Sequence, residues 1–318
     1  MQEATDGQLL PKHFDGTRFY NPNAPQARGW RDVIRWKLSS RAEPCPSFID
    51  DVEPSIPPHA IYGPELRVTF VNHSTVLLQQ NGCNVLTDPV WSRRASPLQW
   101  IGPRRHRRPG IRKEDLPPID IVLLSHNHYD HLDLSTLRWL ARRRAPAFVA
   151  PSGVSPLLRA HRIEPVVELG WGERRTLRQV PIHAVPALHF SGRGFFDRNK
   201  TLWCGYVVES AGGPIYFAGD TGFGNHFAQI RDAFGSPRLA LLPIGAYRPR
   251  WFMSSVHMEP AEAVEAHRIL GSAASIAIHH GTFQLGDDAV DTAVRTLLQH
   301  GLPDSFHVLR NGEFTCIV

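Results

Sequence analysis

The order of strand and helix signals along the chain predicts a layered α/β sandwich. Strand-like runs fall in two successive groups, with helices interspersed and concentrated late, which suits stacked sheets better than a simple doubly wound parallel sheet. In addition, the apolar run 119–124 leads directly into a histidine-rich segment and then a helix start, so one end of a sheet presents loop chemistry.

Taken in order, residues 1–60 read as irregular, rich in Pro, Asn, Asp and Arg, with one short helix at 29–39. They are expected to form an extension wrapping a single main domain, 61–318. Runs 66–78 and 84–86 read as two strands joined through the Asn81-Gly82 turn. The run 119–124, apolar apart from Asp120, reads as a buried strand. Residues 134–143 have helical periodicity, and Asp133 is placed to cap them. Further strands are expected at 147–150, 166–169, 175–184, 202–209, 215–218, 239–242, 275–278 and 306–309, and helices at 224–234, 260–270 and 292–300. No internal repeat interrupts this series.

Composition sets outer bounds. The 318 residues are 42% hydrophobic and 20% charged, which is enough apolar material for a core and excludes whole-chain disorder. Cys45, Cys83, Cys204 and Cys316 are far apart and lack CxxC spacing, against both a disulfide framework and a cysteine zinc site. The opening MQEATDGQLLPKHFDG has no apolar centre, so a secretory signal is not expected, and no apolar run approaches the ~18 residues a membrane span needs. A cytoplasmic protein is the expectation, with peripheral contact at the inner membrane face left open. Net charge is +5, with Arg104, Arg105, Arg107, Arg108, Arg112, Lys113 and the run Arg142, Arg143, Arg144 contributing much of it. Such a cluster attracts phosphate or anionic lipid, or is simply a solvated face. It lacks interleaved aromatics, so a nucleic-acid partner is not expected.

The chemistry concentrates in His126-Asn127-His128-Tyr129-Asp130-His131, between the buried strand and the helix. If the chain is still extended at His126 and His128, their imidazoles point the same way and can grip one metal. Asp130 and His131, where the chain turns into the helix, can address a second position. Nitrogen and carboxylate donors suit zinc and accommodate iron or manganese.

The His126–His131 segment resembles the HxHxDH signature of the metallo-β-lactamase superfamily, which implies an αββα four-layer sandwich with 61–318 as its catalytic domain. The resemblance predicts further ligands downstream, and His189, Asp220 and His279 stand in the expected order, each after a strand-like run. Singly, a strand-end His is more often structural and an Asp beside Gly a turn former; together and in order they strengthen the metal reading. The resemblance implies that His126, His128 and His189 bind a first metal, that Asp130, His131 and His279 bind a second, and that Asp220 bridges the two. His280 could replace His279 if the strand register differs by one. Asp88, in Thr87-Asp88-Pro89, matches an early strand-end Asp that orients the histidines. The implied chemistry is hydrolysis by a hydroxide generated on two divalent ions, zinc first, with Asp130 or Asp220 in proton transfer.

The flanks narrow the resemblance. Leu86-Thr87-Asp88-Pro89-Val90-Trp91-Ser92, Ala218-Gly219-Asp220-Thr221-Gly222, Leu242-Pro243-Ile244-Gly245-Ala246-Tyr247, His257-Met258 and Ile278-His279-His280-Gly281-Thr282-Phe283 look like the N-acyl-phosphatidylethanolamine phospholipase D family of bacterial type. Arg18-Phe19-Tyr20-Asn21-Pro22 and Arg35-Trp36-Lys37 are similar to its N-terminal arm. The likeness covers about residues 18–285 and implies a phosphodiesterase acting on a phospholipid or another phosphate ester. It places His257 near the substrate phosphate, with Trp91, Tyr247, Trp251, Phe252 and Met253 as candidates for an acyl-chain wall. Core packing is the simpler account of Trp91 and Tyr247; 251–253 is expected in an Arg-flanked loop. His280, where the family usually has Trp, and Asn72-His73-Ser74-Thr75, where it usually has Gly-His-Ala/Ser-Thr, are departures. The alternatives are a lactonase or other small phosphorylated-substrate hydrolase on the same fold, and a metal-binding regulatory protein without turnover. Oligomeric state is not legible.

Overall fold

Several of the apolar runs are buried on both faces because they lie in two stacked sheets covered by helices. The computed structural model describes residues 12–22, 25–299 and 301–317. The first half of the chain contributes α1 (Trp30–Ser39), β1 (Leu66–Asn72), β2 (Thr75–Gln80), β3 (Cys83–Thr87), β4 (Ile121–Leu123), α2 (Leu134–Arg144), β5 (Ala147–Pro151), α3 (Ser155–Ala160) and β6 (Val166–Leu169). The second contributes β7 (Arg174–Leu177), β8 (Val180–Val185), β9 (Gly205–Val208), β10 (Ile215–Phe217), α4 (His226–Phe234), β11 (Leu239–Pro243), α5 (Arg250–Met253), α6 (Pro260–Leu270), β12 (Ala274–Ile278), α7 (Thr292–Gln299), β13 (Phe306–His307) and β14 (Phe314–Ile317). One sheet has the order β14-β1-β2-β3-β4-β5-β6 and the other β13-β12-β11-β10-β9-β8-β7.

Alternation along each strand makes the layers. Val76 and Leu78, Ile121 and Leu123, Leu239 and Leu241, and Ile276 and Ile278 meet between the sheets. Their neighbours point outward: Leu77 and Val122 pack under Leu137, Leu140 and Leu158 of α2 and α3. Ala240, Leu242 and Ala277 pack under Phe227, Ile230, Val264, Leu270 and Leu297 of α4, α6 and α7. The result is an αββα sandwich. Each fully buried side chain of this kind contributes about 1.5–3 kcal/mol.

The topology positions the site. Strands β3, β4, β5 and β6 run parallel, as do β10, β11, β12 and β13. Carboxyl ends of parallel strands are where such sheets gather ligands. The segments after β3, β4, β8, β10 and β12 carry Asp88, the His126–His131 run, His189, Asp220 and His279.

The structure departs from expectation in particular places. Residues 66–78 form two strands, because His73 takes φ +50 and folds β1 back onto β2. The Asn81-Gly82 turn then joins β2 to β3, both residues at positive φ as a tight hairpin requires. Residues 175–184 are likewise split, with Arg178 and Gln179 at positive φ between β7 and β8. At the first and third of these corners the positive-φ residues are His73, Arg178 and Gln179, in place of the usual Gly or Asn. Helix α3, the short α5 and the edge strand β14 were not expected. The last expected helix ends at Gln299, and residue 300 lies outside the described residues.

Residues 12–22 and 25–60 contact the rest of the chain at discrete points. The Asn21 amide donates to the His189 carbonyl (2.9 Å), the Trp36 indole to Asp287 (2.8 Å), and Glu43 N–H to the Asp287 carbonyl (2.7 Å). Asp50 pairs with Arg108 at 2.5 Å, and Asp51 with Arg107 at 2.8 Å. Arg107 also holds Asp291, and Arg112 holds Asp115. Much of the basic cluster at 104–113 is therefore spent on internal ion pairs. No helix among the described residues is long and apolar enough to cross a membrane.

Candidate metal centre

Strand ends place the site residues, and hydrogen bonds on the far side of the ring orient His126, His131 and His189. Asp88, buried at the end of β3 with φ +31, is the main anchor. Its Oδ1 accepts from Ser125 N–H (2.7 Å), and its Oδ2 accepts from the Ser125 hydroxyl (2.5 Å) and from His131 Nδ1 (2.6 Å). That contact makes Nδ1 a donor and turns Nε2 inward, so neutral His131 would offer Nε2 to a metal. Ser125 Oγ also lies 2.9 Å from His126 Nδ1, so Asp88 aims two imidazoles. His189 donates from Nδ1 to the Val256 carbonyl (3.0 Å), turning its Nε2 inward too. Asp133 caps α2 by accepting from Ser135 N–H (3.0 Å) and accepts from Ser92 N–H (3.0 Å), tying the helix start to the segment after Asp88.

Two glycines let these segments approach. A Cβ on Gly219, whose φ is +61, would sit 2.5 Å from Ser125 Cβ. One on Gly245 would collide with the His279 carbonyl oxygen.

The inward atoms form two adjacent sets. In the first, His126 Nε2 and His128 Nδ1 are 2.8 Å apart, and His189 Nε2 is 3.2 Å from His128 Nδ1. In the second, Asp130 Oδ2 lies 3.1 Å from His131 Nε2 and 3.4 Å from His279 Nε2. Asp220 Oδ2 lies between the sets: 3.1 Å from His279 Nε2, 3.2 Å from His131 Nε2, 3.7 Å from His189 Nε2 and 4.0 Å from His126 Nε2.

These residues fit a pair of metal ions. His131 Nε2, both nitrogens of His279 and Asp220 Oδ1 are buried and make no properly angled hydrogen bond. Four ligands about 2.0–2.1 Å from a tetrahedral ion stand about 3.3 Å from one another, close to the spacing seen here. Burial, then neighbouring imidazoles, pushes His126 well below its usual pKa. Burial likewise lowers His189, and brings His128 to about 4, so all three are neutral at pH 7, the form that binds metal. Burial also pushes His131 and His279 down, but the carboxylates around them outweigh it and hold both up, His279 at about 9. The buried carboxylates of Asp88, Asp130 and Asp220 demand positive charge. Protonated His131 and His279 supply it in the polypeptide alone, and divalent cations would supply it with those imidazoles neutral.

All seven expected ligand positions come together at this edge, and His257 stands beside them. Its ring centroid is 5.1 Å from that of His189 and 5.2 Å from that of His279. Burial lowers its pKa to about 4, and its Nδ1 has no hydrogen-bond partner among the described residues. The register ambiguity is resolved: His280 stacks on Phe70 at 4.9 Å and shares a 3.2 Å contact with the Ala277 carbonyl, facing away from the cluster.

The expected Arg-flanked aromatic loop at 251–253 is instead helix α5. Met253 is buried, Phe252 stacks on Trp36 (4.9 Å), Arg250 is bound to Glu262, and Arg248 to Glu43. Tyr247 is buried in the core, and the Trp91 indole donates to the Ile111 carbonyl (3.0 Å). Two residues were not singled out from sequence. Phe190 lies edge-on to His128 at 4.6 Å. His73, seen only as part of a motif, joins the second set with Nε2 2.9 Å from Asp130 Oδ2.

Comparison with known proteins agrees with this geometry. Residues 83–280 match the family described as the beta-lactamase superfamily domain. The chain belongs to this superfamily. It is a metal-dependent hydrolase of the metallo-β-lactamase type. An uncharacterized protein of Mycobacterium tuberculosis is 39% identical over 86% of this chain and 73% of its own length. The N-acyl-phosphatidylethanolamine-hydrolyzing phospholipase D 1 of Caenorhabditis elegans is 37% identical over 95% of this chain and 91% of its own. Among solved structures, an isothiocyanate hydrolase from Delia radicum gut bacteria superposes with a TM-score of 0.64 over 78% of this chain and 98% of that one. At 20% identity it shares the fold alone.

Proposed function

We propose that this metallo-β-lactamase-superfamily enzyme is a two-metal phosphodiesterase of phospholipase D type, acting on N-acyl-phosphatidylethanolamine-like lipids. The observation that carries the reading is the convergence of seven side chains into two sets sharing Asp220. It occurs in a chain that is 37% identical over nearly its whole length to a relative named for that activity.

In this reading His126, His128 and His189 hold one ion, Asp130, His131 and His279 the other, and Asp220 is common to both; zinc is the proposed metal, iron and manganese the alternatives. Two divalent ions held there would lower the pKa of water towards neutrality and draw charge from a phosphoryl oxygen. Asp88 and Ser125 keep the imidazoles aimed, Asp130 and Asp220 are the carboxylates available to accept the proton of the attacking water, and neutral His257 donates an N–H to a phosphate oxygen. Water adds across the phosphorus–oxygen bond, giving phosphatidic acid and an N-acylethanolamine, with the leaving alkoxide taking up the proton.

The surface of α1 supports a lipid partner. Trp36 pins one face of the helix, while Trp30, Ile34 and Leu38, at i, i+4 and i+8, are exposed on the other, Leu38 by 85%. Arg31, Arg35 and Lys37 are exposed on the same helix. An apolar stripe among cations suits an anionic membrane interface. Segment 190–200, which follows His189, adds Phe195 and Phe196, 98% and 84% exposed, and Arg198 of this segment donates to the Arg28 carbonyl just before α1 (2.7 Å).

The competing reading, a lactonase or other small phosphorylated-substrate hydrolase, draws on the burial of Tyr247 and Met253, which removes two of the expected acyl-chain contacts. The test is direct. Metal-replete protein is expected to cleave bis-(p-nitrophenyl) phosphate and to release N-acylethanolamine from a lipid panel followed by mass spectrometry. Asp220→Asn should abolish turnover with the circular dichroism unchanged. Replete protein inert to both phosphodiesters but active on lactones or sugar phosphates overturns the lipid reading.

A further inference from the structure

We propose that His73 is a positioning residue that sets the second metal half-site by holding Asp130 against His279. The proposal rests on the two-metal reading of the site but not on the identity of the substrate.

The second set draws on both sheets. Asp130 comes from the segment after β4 in one sheet, and His279 from the end of β12 in the other. His73, at the β1–β2 corner, is bonded to both. Its carbonyl accepts from His279 N–H at 2.7 Å, its own N–H donates to Thr282 Oγ1 at 3.0 Å, and its Nε2 lies 2.9 Å from Asp130 Oδ2. An ionised carboxylate only accepts, so His73 Nε2 carries the proton and Nδ1 is bare. One lone pair of Asp130 Oδ2 is thereby occupied, and the carboxylate is held in the rotamer that faces His131 and His279. The ring also lies 4.2 Å from that of His279, limiting how far either can swing.

The corner is braced from behind. The Arg105 guanidinium donates to Asn72 Oδ1 (3.0 Å), the Val90 carbonyl (2.9 Å) and the Ser92 carbonyl (3.1 Å). Phe283 stands edge-on to His73 at 5.3 Å, with Arg105 over its face. His73 itself sits at φ +50, a conformation a non-glycine residue adopts only when its surroundings impose it. Main chain and side chain are thus both committed to the junction between the half-sites. Hydrogen-bonded partners of metal ligands are worth about 10–100-fold in metal affinity.

His73→Gln keeps a donor near the Nε2 position, and His73→Met has a similar length without one; both carry the same backbone cost. Zinc-loaded protein is titrated with a chelator and metal content read by mass spectrometry. In His73→Met the second equivalent should be released at about 10–100-fold lower chelator concentration, with the first unchanged and His73→Gln close to wild type. Release of the second equivalent at the wild-type concentration in His73→Met, or an equal loss in both variants, overturns the proposal. In zinc-loaded wild type, nitrogen NMR of labelled histidine should show His73 protonated on Nε2 and bare on Nδ1. The opposite tautomer, or a zinc-bound nitrogen in His73, also overturns it. A protein that binds both ions in this way yet fails on every phosphodiester would refute the substrate reading alone.

Discussion

Asp88→Asn isolates the orienting carboxylate from the ligands themselves. The asparagine has nearly the same volume and tolerates the φ of +31 at this position. Its side-chain oxygen can still accept from Ser125 N–H. It cannot accept, with a full charge, the Ser125 hydroxyl at 2.5 Å and His131 Nδ1 at 2.6 Å, and its NH2 group now faces them. A buried hydrogen bond to a charged group is worth about 1.5–3 kcal/mol, and the hydroxyl can rotate to accept instead. The expected loss is therefore about 2–3 kcal/mol in metal-free protein, or about 3–5 °C in Tm for a chain of this length. The more telling effect is chemical. With an amide donor opposite, His131 is expected to move its proton to Nε2, the atom 3.1 Å from Asp130 and 3.2 Å from Asp220, where it blocks metal. Affinity for the second ion should fall about 10–100-fold. Chelator titration reads the affinity, nitrogen NMR of labelled histidine reads the tautomer, and unfolding in excess chelator reads the stability. An Asp88→Asn protein that keeps the wild-type His131 tautomer and holds both ions against chelator as wild type does would refute the orienting role.

Two other outcomes are expected. Burial holds His226 neutral down to about 3, whereas in the unfolded chain it protonates near 6.5. Stability from this depressed group is therefore present above about 6.5 and lost as pH falls towards 3. His226→Gln, which keeps a donor for Thr221 Oγ1 but does not titrate, should gain about 2 kcal/mol on wild type between pH 7.5 and pH 5 in urea unfolding, and a pH-independent difference would contradict it. At the surface, sedimentation with vesicles containing anionic lipid should show binding that weakens with salt and drops about tenfold or more in Trp30→Ser/Leu38→Ser, since each side chain loses an apolar contact. Equal partitioning of wild type and double variant would remove α1 from membrane contact.

Some of the site was legible because its signals are local. His126, His128, Asp130 and His131 are close in sequence and match the HxHxDH signature, and that resemblance pointed to His189, Asp220 and His279, each after a short apolar run, without knowledge of any fold contact. The choice between His279 and His280 was not local. It depended on which residue turns inward after β12, where His279 takes φ +59, and on His280 finding Phe70 to stack against. The Arg-flanked segment 251–253 read as an open loop because the partners of Arg250, Arg248 and Phe252, which are Glu262, Glu43 and Trp36, lie elsewhere in the sequence, although Trp251 does remain exposed. The strand break at His73 was missed for a related reason. Histidine is not a turn former, and only the grip of Asp130, Thr282 and His279 from other elements explains its backbone.

The sequence by itself determined the layered α/β class and, through the resemblance carried by its HxHxDH segment, pointed to the candidate donors and their order along the chain. Apolar periodicity and donor chemistry are properties of neighbouring residues. Tertiary structure alone decided which atoms face inward and that Asp220 lies within 4.0 Å of ligand nitrogens from both sets. It also showed that much of the basic cluster is neutralised, and that His73 joins the two sheets at the candidate metal centre. Each of these depends on hydrogen bonds or ion pairs between segments far apart in the chain, whose geometry exists only once the two sheets have closed on each other.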